Sequence, residues 1–221
     1  MNFDDKRKFF IENGYIVLKS FFDSQTIINL RDTFIKNANS NNEIFNFKFV
    51  ENLFVNEKFV QEIKNLLNSD KLLYFSDSNI VNHKKPLTES NGWHNDSRFE
   101  DENIPYNQEY PILRIALYFE DHKNFSGGLK IKKKSHKYFC FNWRAPKQNL
   151  GKLFNIFFKK TKYNLSSLKN GKGINLDLQE GDLVVWNLRT HHSGMCRRLK
   201  LFPEVCLHPL IEKRLPLFLF K

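Results

Sequence analysis

The chain has 221 residues, of which 41% are apolar and 15% aromatic, including 23 Phe; that content can fill one large core and excludes a disordered chain. The net charge is +11, but the 35 basic residues divide into 26 Lys and 9 Arg. Bidentate phosphate and guanine recognition favours Arg, so the excess points to general lysine usage and away from a nucleic-acid partner.

The chain opens on the polar Met1-Asn2-Phe3-Asp4-Asp5-Lys6, without the basic start and apolar run that a signal peptide needs, so none is expected, and no run approaches the ~20 apolar residues of a membrane span. Asp4 to Asn13 is predicted as a helix stopped at Gly14, and Tyr15 to Leu18 as an extended piece. A second helix starts at an N-cap on Ser24, carries Ile27, Leu30 and Phe34 at helical spacing, and ends in the Asn37–Asn42 loop. A third runs from about Asn56 to Asn68. From residue 71 the texture is β-like: Leu72–Val81, Gly92–Arg98, Ile112–Phe119, Leu129–Lys133, Gly173–Leu178, Leu183–Leu188 and Leu201–Leu207 are predicted strands, parted by Pro and Gly turns. The Trp143–Asn170 stretch reads as an insertion with a helix near Leu150–Lys160, and the apolar Leu215–Phe220 run as a core-packed tail. One domain over 1–221 is expected, with 1–70 as mostly helical support and an antiparallel sandwich or barrel over 71–221. Cys140, Cys196 and Cys206 contain no CxxC pair, which argues against zinc knuckles and a disulfide framework and fits a reducing cytoplasm.

Two places gather metal-ligand chemistry. In Trp93-His94-Asn95-Asp96, residues two apart on an extended chain share a face, so His94 and Asp96 project together. In Arg189-Thr190-His191-His192-Ser193-Gly194, which follows the apolar Leu183–Trp186 strand, either imidazole would complete a set of two His and one carboxylate. Such a set suits Fe(II): it takes one face of an octahedron and leaves the other open. A lone His-x-Asp is common by chance, and a lone His at a strand end is usually structural; the pair of motifs across a β-rich stretch is what carries weight.

Four segments, in order, resemble the phytanoyl-CoA dioxygenase family of Fe(II)/2-oxoglutarate oxygenases. Phe9 to Leu18, with Asn13-Gly14-Tyr15, resembles the family's opening helix and strand, and Trp93-His94-Asn95-Asp96-Ser97 its metal-binding motif. Gly127-Gly128-Leu129 through Ser135-His136-Lys137 is similar to its hairpin, with Lys133-Lys134 where Pro-Gly usually stands. Gly181-Asp182-Leu183-Val184-Val185-Trp186 through Gly194 is similar to its distal segment.

The resemblance implies a double-stranded β-helix, or jelly roll, flanked by N-terminal helices, with Fe(II) held by His94, Asp96 and His192. His192 is preferred because the family's ligand stands three residues after Arg189; His191 would face the other way on a strand. It implies 2-oxoglutarate as cosubstrate, a small-molecule or lipid-like substrate, O₂, and hydroxylation of a C–H bond. Related halogenases carry a small residue at the position of Asp96, so a carboxylate there favours hydroxylation. The family's cosubstrate Arg lies about ten residues past the last His, where this chain reads Phe202-Pro203-Glu204. Arg198 is the candidate in its place and Arg197 the alternative, with Lys200 and Lys85 as further cations. His136 is expected to close the hairpin, and Trp93, Trp143 and Trp186 to pack in the core or pocket wall. Two other readings are a non-catalytic binding module on the same scaffold and an oxygenase that uses its basic surface on nucleic acid.

Overall fold

The computed structural model describes residues 1–36, 55–75, 79–83, 93–96, 112–121, 128–137, 173–194 and 210–219. The predicted features at Asn37–Asn42, Lys84–Lys85, Trp143–Asn170 and Leu201–Leu207, with Arg197, Arg198, Lys200 and the three cysteines, lie outside them.

Helix α1 (Phe3–Asn13) begins where the Asn2 side chain accepts the Asp5 N–H at 2.8 Å and ends at Gly14, whose φ of 82° only glycine adopts freely. Strand β1 (Tyr15–Leu18) follows at once. Helix α2 (Ser24–Lys36) is capped one residue earlier than the sequence predicts. Asp23 takes the cap because its carboxylate accepts both the Thr26 N–H and the Thr26 hydroxyl, at 2.9 and 2.8 Å, and these bonds hold its pKa below the usual carboxylate value. Helix α3 (Glu57–Leu67) runs from an Asn56 cap to a left-handed Asn68, and Lys6 of α1 pairs with its Glu62 at 2.8 Å.

The strands are β2 (Leu73–Phe75), β3 (Asn79–His83), β4 (Leu113–Tyr118), β5 (Leu129–Ile131), β6 (Ile174–Asn175), β7 (Leu183–Asn187), β8 (His192–Gly194) and β9 (Leu210–Leu219). The predicted Leu72–Val81 strand is thus β2 and β3, and residues 215–219 of the expected core-packed Leu215–Phe220 tail are strand. They end β9, which lies between β4 and β2 in the large sheet, order β1-β7-β4-β9-β2, with β3 also on β9. The β4–β9 register shifts where Leu113 faces Phe218 but Ile115 faces Leu215. Pro216 falls inside that shift, where a residue with no N–H to donate costs the ladder least. Strands β6, β5 and β8 form the small sheet, and among the described residues every strand pair is antiparallel.

Strand alternation divides the core. Leu113, Ile115 and Leu117 of β4 join Leu183 and Val185 of β7 in packing on Phe10, Ile27, Leu30, Phe59 and Ile63 of the helices. Ala116 and Tyr118 join Val184 and Trp186 in facing Leu129 and Ile131 of β5. All six β4 residues are buried, because helices cover one side and the small sheet the other. Two facing antiparallel sheets backed by N-terminal helices make the double-stranded β-helix that the sequence led us to expect. Among the described residues no helix is long and apolar enough to cross a membrane.

Candidate metal centre

The expected strand over Gly92–Arg98 reduces, within the described residues 93–96, to one bridge between His94 and His192. Its two bonds, His94 N–H to His192 O at 3.0 Å and His192 N–H to His94 O at 2.8 Å, fix the two candidate segments to each other. Asp96 N–H donates to Leu188 O at 3.0 Å, and Leu188 N–H to Ile112 O at 3.1 Å, so Asp96 is tied to the same end of the roll. The result is one cluster: a ligand atom from each of His94, Asp96 and His192 lies within 4.8 Å of the others. His94 Nε2 is 3.8 Å from Asp96 Oδ1, and His192 Nε2 is 3.3 Å from Asp96 Oδ2. Ligands at right angles about an ion with bonds of ~2.1 Å stand about 3.0 Å apart, so these atoms fit a divalent cation with little movement. His191, equally buried, is not in the cluster.

His192 is held through its other nitrogen. Nδ1 is 3.0 Å from Thr190 O, a bond that places the proton on Nδ1 and leaves Nε2 for a metal. Thr190 is itself anchored, its hydroxyl donating at 2.7 Å to the carbonyl of Gly14, which also accepts the Asn187 N–H at 2.9 Å. The left-handed Gly14 turn therefore braces His192. A Cβ there would stand 2.3 Å from His136 Nδ1 and 2.6 Å from Thr190 Oγ1.

The hairpin residues serve the same brace. Ser135 Oγ accepts the His191 N–H at 2.8 Å, and Lys134 N–H donates to Asn13 O at 2.9 Å. His136 sits on a single 3-10 turn, Ser135–Lys137, with Nε2 2.9 Å from Ile11 O, and does not join the ligand cluster. Burial is the main reason its pKa falls to about 4. Trp186 is fully buried with its ring 5.3 Å from that of His192. Trp93 is only half-buried; it lies over Gly173 and under the Lys132 ammonium, which is 4.7 Å from its ring.

One residue of the site went unnoticed in the sequence. Arg114, on β4 opposite Trp186, is buried with Nε 3.5 Å from Asp96 Oδ2. Its signal is a lone cation in the apolar run Leu-Arg-Ile-Ala-Leu-Tyr, at an inward position shared with Ala116 and Tyr118.

The family model for phytanoyl-CoA dioxygenase matches residues 32–195. The chain belongs to the phytanoyl-CoA dioxygenase family. Its members use Fe(II) and 2-oxoglutarate. Among solved structures the chain is similar to the epimerase SnoN in complex with Fe3+, alpha-ketoglutarate and nogalamycin RO, at a TM-score of 0.67 and 11% identity over 97% of this chain and 82% of that one. It is similar to the carbocyclase SnoK from nogalamycin biosynthesis, at 0.66 and 12% over 97% and 83%, and to HygX from Streptomyces hygroscopicus, at 0.65 and 12% over 96% and 85%. At such identities the likeness shows the fold. Comparison with curated proteins by sequence gives no match.

Proposed function

We propose that this member of the phytanoyl-CoA dioxygenase family is an Fe(II)- and 2-oxoglutarate-dependent oxygenase that hydroxylates a C–H bond of a small-molecule or lipid-like substrate. The observation that carries the reading is the His94, Asp96 and His192 cluster, closed within 4.8 Å at one end of the roll. Bound there, iron with 2-oxoglutarate and O₂ supplies the oxidising power, with succinate and CO₂ as coproducts. The chain's own share is geometry. The two imidazoles present Nε2, Asp96 supplies the carboxylate, and three ligands on one face leave room for cosubstrate and O₂. Trp186, His94 and His192 are almost fully excluded from water, which protects a reactive centre from side reactions.

The distal carboxylate of the cosubstrate needs a guanidinium. Arg198 is our candidate from sequence order and Arg197 its alternative; the register adds Arg214, which stands opposite Ala116 across the β4–β9 pairing. Enzymes similar to this chain in fold include an epimerase and a carbocyclase, so the mass of the product is what would separate the outcomes: oxygen inserted, unchanged mass, or loss of two hydrogens.

The decisive experiment is anaerobic addition of Fe(II) and then 2-oxoglutarate, followed by O₂. We expect a visible charge-transfer band and slow succinate formation, both lost in His94→Ala and Asp96→Ala. Succinate formation undiminished in these variants would refute the triad, and absence of the band in the wild type would refute cosubstrate chelation. The arginine whose substitution raises the KM for 2-oxoglutarate with folding intact identifies the partner of its distal carboxylate.

A further inference from the structure

We propose that Trp93, seated against Gly173, is a positioning residue that sets the aim of His94 and Asp96 toward the metal, a role that rests on the metal reading above.

Residues 93–96 meet β8 through one bridge, and the bonds of the segment run along one edge, from His94 to His192 and from Asp96 N–H to Leu188 O. Bonds along one edge fix where an extended segment lies, but they resist its roll about its own axis less well. Roll is what aims the side chains. On extended chain Trp93 stands on the opposite face from His94 and Asp96. A ring held on that face therefore acts as a lever on both candidate ligands.

The ring is held at its far end. A Cβ on Gly173, just ahead of β6, would stand 2.0 Å from Trp93 Cη2 and 2.4 Å from Cζ2, so the indole lies directly against the glycine backbone. The Lys132 ammonium is 4.7 Å from the centre of the same ring. Lys132 belongs to the frame of the site: it follows Ile131, which pairs with His192, and its N–H donates to His191 O at 2.9 Å. Through its indole, then, the segment that carries His94 and Asp96 meets the β6 and β5 side of the small sheet, beyond the β8 strand that its backbone bridges.

Unlike Gly14 and Gly181, Gly173 is not left-handed. The space taken by the indole, and not the backbone, is what calls for glycine there. A side chain at 173 must drive the ring back by well over an ångström to reach the ordinary contact of 3.4–4 Å. Metal–ligand distances tolerate about 0.2 Å, and a preorganised site about 0.5 Å. A displacement of that size reaches His94 and Asp96 as lost metal affinity.

The test is a double-mutant cycle on the Mn(II) affinity of the full-length protein, read as free Mn(II) by electron paramagnetic resonance. Gly173→Ala displaces the ring, Trp93→Phe shortens it, and the double variant gives the new Cβ the space that the indole left. We expect Gly173→Ala to bind Mn(II) about tenfold more weakly than the wild type, and Trp93→Phe at least about threefold more weakly. Adding Gly173→Ala to Trp93→Phe should cost less than about threefold more, because the two changes act through one contact. Far-ultraviolet circular dichroism of each apo variant confirms folding. Ile63→Val, which trims the core beneath the helices, sets the loss of affinity that lower stability alone brings. Native affinity in either folded single variant overturns the proposal. So does a Gly173→Ala loss of equal size in both backgrounds, or one matched by Ile63→Val. Each of these results leaves the metal reading standing. A wild type that binds no Mn(II), or a His94→Ala variant that binds it as tightly as the wild type, overturns the metal reading and the proposal with it. If Gly173→Ala does not fold, Trp93→Phe measured against Ile63→Val decides.

Discussion

Replacing Gly14 by alanine will cost this protein far more than a surface glycine would. The residue is the left-handed stop of α1, at φ 82°, and holding an L residue there costs roughly 1–2 kcal/mol. The new Cβ would lie 2.3 Å from His136 Nδ1 and 2.6 Å from Thr190 Oγ1, so those side chains must move. Neither does so freely, because His136 is bonded to Ile11 O and the Thr190 hydroxyl to the Gly14 carbonyl. Overpacking of this kind costs about 1–3 kcal/mol, and each bond broken about 1 kcal/mol more. With both bonds broken the sum is roughly 4–7 kcal/mol, a large part of the 5–15 kcal/mol of an ordinary domain. Urea unfolding monitored by Trp fluorescence measures it, with Asn68→Ala as the internal control. Asn68 is also left-handed, at φ 52°, but exposed, so its alanine variant pays the backbone cost alone. If Gly14→Ala is no more destabilising than Asn68→Ala, the crowding argument is wrong, and with it the claim that this turn braces His192.

Two further predictions concern the same brace. Thr190→Val keeps the shape but removes the 2.7 Å bond to Gly14 O; metal affinity should fall about tenfold, at the low end for an outer-shell partner, and Thr190→Ser should restore it. Equal affinity in the valine and wild-type proteins would reduce Thr190 to packing. The second is a pH effect. Burial holds the His136 pKa in the folded chain at about 4 against 6.5 for a free ring, so as pH falls the unfolded chain takes up this proton first. The His136 contribution is therefore fully present above about pH 6.5 and is lost as pH falls from there towards 4, by about 3 kcal/mol at most. Stability curves of wild type and His136→Gln at pH 7.5 and 4.5 check it; a difference between the two proteins that does not change with pH contradicts the burial argument.

The candidate ligands could be proposed from sequence because much of their chemistry is local. His94 and Asp96 stand two apart on extended chain, and His192 is preferred to His191 on the spacing after Arg189 that the family resemblance implies. The helix ends were legible for the same reason, except that Asp23 outbids Ser24 as the α2 cap, a choice that depends on two bonds to Thr26. What sequence order alone did not show was pairing across long separations. Arg114 becomes a site residue only because β4 pairs with β7 and Asp96 is tied to Leu188. The last strand was hidden by Pro216, which argues against a central strand until the register shift beside it is seen.

The charge of the chain and the charge of its site are separate matters. Several described lysines lie far out on flexible stems: Lys19 is half exposed although it pairs with the fully buried Asp182 at 2.7 Å, and Lys134 pairs with Glu12 between two exposed side chains. Charges so placed are screened and contribute little to stability. Arg114 differs in kind. It is buried and always ionised, and it lies beside Asp96, a carboxylate that could also hold a metal. A buried, permanently ionised cation beside Asp96 bears on the site more directly than the bulk excess of +11 does, because burial leaves its field less screened than that of the exposed lysines.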